Sequence, residues 1–148
     1  MAPQLAYADT SFLVSLYGAD EFTELARGTA KSDGLPLGLC ELSRLEFENA
    51  LRLLRFRKLV TTRFVTAAMS AFRQDAQAGL LRSIAMDWSV VFVRAYEISE
   101  HRTARGGHRT MDLLHVAVAS ACSVERFYSF DLRQRALAEL EGLKLNAI

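Results

Sequence analysis

The chain has 148 residues, 51% of them hydrophobic and 24% charged. That is enough to bury a core within one domain spanning 1–148, and too apolar for disorder to be the main state. Eighteen Lys and Arg against 17 Asp and Glu leave a formal charge of +1, so bulk charge names no partner and any contact with nucleic acid must come from local patches.

The opening Met1 to Asp9 lacks the basic region and long apolar core of a signal peptide. No uninterrupted apolar run approaches the length of a membrane span, so no membrane association is expected. Cys40 and Cys122 stand alone in apolar segments, as small buried hydrophobes rather than metal ligands. Without a disulfide framework the expected compartment is a reducing cytoplasm.

Leu5 to Ala8 is a short apolar run closed by Asp9-Thr10-Ser11, then Phe12-Leu13-Val14 and Leu16-Tyr17. This reads as a buried strand followed at once by a helix, with capping residues at the turn. Asp20 to Lys31 reads as a second helix closed by Ser32-Asp33-Gly34, and Leu35 to Cys40 as a second strand. In Glu41 to Lys58 the leucines at 42, 45, 51 and 54, with Phe47 and Ala50, have helical spacing; Ser43 is the expected N-cap and Glu46 its capping-box partner. Thr61-Thr62 opens a helix to Ala78, broken at Gly79, and Leu80 to Met86 is a weak strand. Val90 to Val93 has strand propensity, but Trp88, Val91, Ala95 and Ile98 fall at helical spacing, which favours a helix through Arg102. Met111 to Ser123 reads as helix, Phe127 to Phe130 as a strand closed by Asp131, Leu132 to Leu140 as a helix stopped by Gly142, and Leu143 to Ile148 as a last strand. Strands without a wet face, alternating with helices, predict an α/β fold: a mainly parallel sheet covered on both sides.

In such a fold, ligands bind beyond the carboxyl ends of the strands. Asp9 and Asp131 follow their strands directly, Asp112 opens a very apolar helix, and Glu46 rides near the start of another, so all four acids can reach one edge. Singly, each is as well explained as a helix cap or a solvated acid. Together they would need either a cation among them or some carboxyls protonated, because two carboxylates about 4 Å apart repel by roughly 4 kcal/mol at an effective dielectric near 20. All-oxygen ligation suits Mg²⁺ or Mn²⁺, and such ions commonly serve phosphate substrates.

The chain resembles a PIN domain of the VapC-type toxins of bacterial toxin–antitoxin pairs. The resemblance rests on Asp9-Thr10-Ser11, on Glu41-Leu42-Ser43-Arg44-Leu45-Glu46 with Asn49-Ala50-Leu51, on Arg109-Thr110-Met111-Asp112-Leu113-Leu114-His115-Val116-Ala117, and on Phe127-Tyr128-Ser129-Phe130-Asp131. It implies a three-layer α/β/α domain with a five-stranded parallel sheet of order 3-2-1-4-5. It also implies a metal-dependent endoribonuclease site at Asp9, Glu46, Asp112 and Asp131, with Glu48 a rival for the helix acid. Thr10, Ser11, Asn49 and Ser129 are then candidates for supporting the acids or positioning substrate; Ser129 stands where many relatives carry Thr. The partners implied are a VapB-type antitoxin, an RNA substrate and a second copy in a homodimer.

His115 lies three residues after Asp112 on much the same helical face. A metal or acid–base role is conceivable, but a histidine hydrogen-bonded beside the sheet is the preferred reading, since the family works with acids alone. Of the basic residues, Arg102, Arg105, His108 and Arg109 border the expected site, and Arg105, His108 and Arg109 are the candidates for RNA phosphates. Arg52, Arg55, Arg57, Lys58 and Arg63 gather near a helix C-terminus, where a solvated face is expected. Two rival functions stay open: a non-cleaving RNA- or partner-binding protein, and a phosphotransfer or phosphatase domain with Asp9 as covalent nucleophile.

Overall fold

A computed structural model describes residues 4–148. The first three residues, where the N-terminal segment discussed above begins, lie outside the described residues. Four short parallel strands form one sheet: β1 (Ala6–Ala8), β2 (Leu37–Leu39), β3 (Leu81–Ser83) and β4 (Arg126–Tyr128). Their order is β3-β2-β1-β4, with Ala6 beside Leu37 and Ala8 beside Tyr128.

The expected fifth strand is reduced to one parallel bridge between Phe127 and Leu145. Side chains take the place of the ladder beyond it. The Ser129 amide donates to Asn146 Oδ1 at 2.9 Å, and Arg135 donates to the Asn146 carbonyl at 2.8 Å.

Alternation along the strands sorts the core into two layers. Ala6, Ala8, Leu37 and Leu39 face the helices α1 (Thr10–Tyr17), α2 (Thr23–Asp33), α3 (Glu41–Phe56) and α4 (Thr62–Gln77), meeting Phe12, Ala26, Phe47, Leu51 and Phe72. Phe47 and Phe72 stack with ring centres 4.5 Å apart, and fully burying such a side chain stabilises the fold by about 1.5–3 kcal/mol. Tyr7 and Phe127 face the other way, onto α5 (Trp88–Ile98), α7 (Thr110–Ala121) and α8 (Leu132–Leu140). Helix α7 buries every residue from Leu113 to Ala119, which is why its sequence is apolar all round.

Helix α2 begins at Thr23 rather than Asp20 and runs on to Asp33, and two further departures from the expected boundaries bear on the site. Helix α3 begins at Glu41 with Cys40 in the cap position, so Ser43 is not the N-cap; it lies inside the first turn, 1% exposed, and faces Tyr7. The helix expected from Trp88 through Arg102 becomes α5, then a π-helical turn (Ser99–Thr103), then α6 (Ala104–Gly106), which ends where Gly107 takes φ 65°. Both cysteines are free; Cys40 is buried and Cys122 only half-buried. Among the described residues no helix is long and apolar enough to cross a membrane.

Candidate active site

The chain runs outward from the central strand β1 to β2 and β3, and β4 lies on its opposite side, so the topological switch falls between β1 and β4. Crevices form beyond the carboxyl ends of strands at such a point. Asp9 follows β1 directly and caps α1, its Oδ1 accepting from the Phe12 amide at 3.0 Å. Ser11 Oγ donates to the same oxygen at 2.6 Å, and Ser129 Oγ, from beyond β4, donates to Oδ2 at 2.5 Å. Asp9 is only 4% exposed. Burial pushes its carboxyl above the usual range, against the lowering effect of the Ser11, Ser129 and Phe12 hydrogen bonds.

Asp131 caps α8, accepting from the amides of Arg133 (2.9 Å) and Gln134 (3.1 Å). Asp112 lies in the first turn of α7, and Gln134 ties the two helices by donating to its backbone carbonyl at 3.2 Å. Arg109, in the cap position of α7, places its guanidinium between these two acids. Its Nε is 2.9 Å from Asp112 Oδ2, and one terminal nitrogen is 3.7 Å from Asp131 Oδ2.

Glu46 projects from the second turn of α3. Thr10 Oγ1 donates to its Oε2 at 2.6 Å, and His115 Nε2 is in very short contact with the same oxygen. Burial opposes the Glu46 charge, but His115, Thr10 and Arg109 together outweigh it and lower the carboxyl below its ordinary value. Behind His115, Tyr7 lies fully buried, its hydroxyl 2.6 Å from Nδ1. Burial holds that phenol well above its usual range, so Tyr7 stays protonated.

Asp9, Glu46, Asp112 and Asp131 all line one open pocket of about 330 Å³, joined by Thr10, Ser11, Arg109 and His115. Ser129 is fully buried behind Asp9. Other expected residues fall outside that lining. Asn49 is exposed, Arg105 is exposed on α6, and half-buried His108 lays its ring against Gly106. Glu48, the rival acid, pairs with Arg52 at 3.2 Å.

His115 is buried and hydrogen-bonded to Tyr7 of β1, as expected of a histidine beside the sheet, and it also lines the pocket and touches Glu46. For Tyr7 the sequence offers one signal, a polar tip in the apolar run before Asp9. The acids converge as a lining rather than a closed cage. Among the described residues, no three His, Cys, Asp or Glu side chains are already grouped as metal ligands. Their chemistry nevertheless fits a hard cation, since all donors are carboxylate oxygens and a guanidinium already sits between two of them.

The fold is shared with solved structures of low sequence identity. VapC20 of Mycobacterium tuberculosis, described as a sarcin–ricin loop cleaving toxin, is 21% identical with a TM-score of 0.65 over 88% of this chain and 93% of its own. FitAcB from Neisseria gonorrhoeae is 13% identical, with a TM-score of 0.64 over 97% of each chain. PAE2754 from Pyrobaculum aerophilum is 16% identical, with a TM-score of 0.57 over 96% of this chain and 83% of its own. No curated protein sequence matches the chain. A family model described as PIN domain matches residues 6–140, from the first residue of β1 to the last of α8. The chain belongs to the PIN domain family.

Proposed function

We propose that this PIN domain is a metal-dependent endoribonuclease of the VapC toxin type, with Asp9, Glu46, Asp112 and Asp131 as its acidic centre. The observation that carries the reading is the arrival of four carboxylates from four separate places in the chain at one pocket beyond β1 and β4. Asp112, Asp131 and Glu46 have the exposure to hold Mg²⁺ or Mn²⁺ at the pocket, and Asp9 lies deepest. When bound, the cation supplies charge for the phosphodiester oxygens and eases ionisation of an attacking water. The chain itself does the rest. Ser11 and Ser129 fix Asp9, Thr10 fixes Glu46, and the exposed Arg109 stands at the rim, free to meet an RNA phosphate once a cation replaces it between the acids.

The name of VapC20 and the resemblance in the motifs support a toxin held in check by a small VapB-type antitoxin that covers this pocket. The homodimer rests on the same resemblance. Asp9 makes a poor covalent nucleophile, since both of its oxygens are hydrogen-bonded and it is 4% exposed. That disfavours the phosphotransfer alternative. The intact set of four acids on one pocket argues against a non-cleaving, RNA-binding role, and metal calorimetry separates it from the nuclease.

The deciding experiment incubates antitoxin-free protein with a panel of structured RNAs in Mg²⁺, Mn²⁺ or EDTA, beside Asp9→Asn. The nuclease reading expects cuts that need metal and vanish in the variant. An equally active Asp9→Asn would remove Asp9 from the site.

A further inference from the structure

One buried chain of hydrogen bonds leads into the pocket from a direction that neither the acids nor Arg109 at its rim explains. Tyr7 is 0% exposed, Ser43 1% and His115 3%, so no solvent competes for their polar atoms. Ser43 Oγ donates to the Tyr7 hydroxyl at 3.1 Å. The Tyr7 proton is therefore directed onward to His115 Nδ1, 2.6 Å away. With Nδ1 accepting, the neutral ring carries its proton on Nε2, the nitrogen that meets Glu46 Oε2. Ser43 and Glu46 both belong to α3, one turn apart. The chain leaves α3, crosses β1 and α7, and returns to α3 at the carboxylate.

We propose that His115 is a positioning residue, which the Ser43–Tyr7 chain fixes in the Nε2–H tautomer so that it holds Glu46 in place for a cation. The proposal rests on the reading of Glu46 as part of a metal centre. A glutamate at a helix surface has several rotamers to lose. Here two donors from different elements, Thr10 Oγ1 and His115 Nε2, converge on its Oε2. Among the described residues its Oε1 accepts no hydrogen bond, which leaves that oxygen for the pocket. The direction of the chain distinguishes this role from ordinary satisfaction of a buried ring. The reversed tautomer would satisfy Tyr7 equally well, but it would present a lone pair to the carboxylate and push it away.

Two measurements test this. In metal-free ¹⁵N-labelled protein, the His115 ring signals should show a protonated Nε2 and an unprotonated Nδ1. A ring whose neutral form carries its proton on Nδ1 overturns the proposal without reference to metal or RNA. Calorimetry then follows Mg²⁺ alone binding to the wild type, His115→Leu, His115→Gln, Tyr7→Phe and the double variant, with melting curves confirming that each is folded. His115→Leu should weaken Mg²⁺ binding by about ten- to a hundredfold, the usual effect of losing a partner that orients a metal-binding group. His115→Gln, whose amide can donate and has no tautomer to choose, should keep most of the affinity. Tyr7→Phe should weaken binding on its own but not in the His115→Gln background, whereas a mere packing role predicts the same loss in both. Unchanged affinity in a folded His115→Leu, or equal Tyr7→Phe losses in both backgrounds, overturns the proposal. If the wild type binds no Mg²⁺, the nuclease reading fails, and the ring signals still decide whether His115 directs a proton at Glu46.

Discussion

Asp9 is held in a setting that opposes its own charge. It is buried, yet two hydroxyls and an amide point at its oxygens, and burial still raises its carboxyl above the ordinary range. A native state that binds its proton more tightly than the unfolded chain loses stability as pH rises from the ordinary carboxylate range to the raised value, and does not regain it above. Asp9→Asn removes that penalty. Its amide oxygen can still accept from Phe12, and its NH₂ can face Ser129, whose hydroxyl can turn. Metal-free Asp9→Asn should therefore melt above the wild type at about pH 8 and lose the advantage below about pH 4. A variant that melts lower across the whole range would show the carboxylate to be a net stabiliser. Arg109 poses the complementary case. It is mostly exposed, so its pairing with Asp112 and Asp131 is weak, about 1 kcal/mol at most, or roughly fivefold in an equilibrium. Arg109→Gln should tighten Mg²⁺ binding by up to about that factor, read by calorimetry, while weakening RNA binding. Looser Mg²⁺ binding would mean that Arg109 organises the acids rather than competing for them.

At the scale of elements, the segment that delivers Arg109 and Asp112 is the irregular one. The π-helical turn Ser99–Thr103 and short α6 lie between α5 and Gly107, and π-turns recur near functional sites. Glu141, 10% exposed just beyond α8, pins this stretch by accepting from Arg94 at 2.8 Å and Arg102 at 3.0 Å. Glu141→Gln should speed amide exchange across residues 99–107 roughly tenfold, the ratio for about 1.4 kcal/mol, and leave β1 unchanged. Uniform acceleration would place the effect in global stability. Here the limits of the sequence are physical. Asp9 and Asp131 were legible because a strand end followed by a cap is a local pattern, and Asp112 because a helix apolar all round must be buried with its charge at one end. Ser43 reads as a cap in the sequence, since a capping box and a buried Ser facing another strand look alike along one helix. His115 and Tyr7 meet only through the pairing of distant elements. The fifth strand was lost to the Asn146 and Arg135 side chains, whose interception of Ser129 leaves no periodic trace.

For the molecule as a whole, a formal charge of +1 means that RNA cannot be held by the general field, so the placement of the arginines decides. Arg55 and Arg57 lie near the far end of α3. Arg57 is about 16 Å along the helix from Glu46 at 1.5 Å per residue, and Arg55 Nε already donates to Thr62 Oγ1 at 2.9 Å. Arg105, on α6, and Arg109, in the cap position of α7, are both exposed on the segment that leads to Asp112. If RNA crosses the acidic pocket, its phosphates meet the second pair and miss the first. Counterion release turns this into a number, because each phosphate contact on a single strand adds about 0.7 to the slope of log affinity against log salt. Binding of a single-stranded RNA oligonucleotide should be titrated with KCl in the Asp9→Asn background, where no cutting is expected. Arg105→Gln with Arg109→Gln should flatten the slope by about 1.4, and Arg55→Gln with Arg57→Gln should leave it unchanged. The reverse pattern would move the RNA path to the other end of α3, away from the four acids, and would separate binding from the pocket altogether.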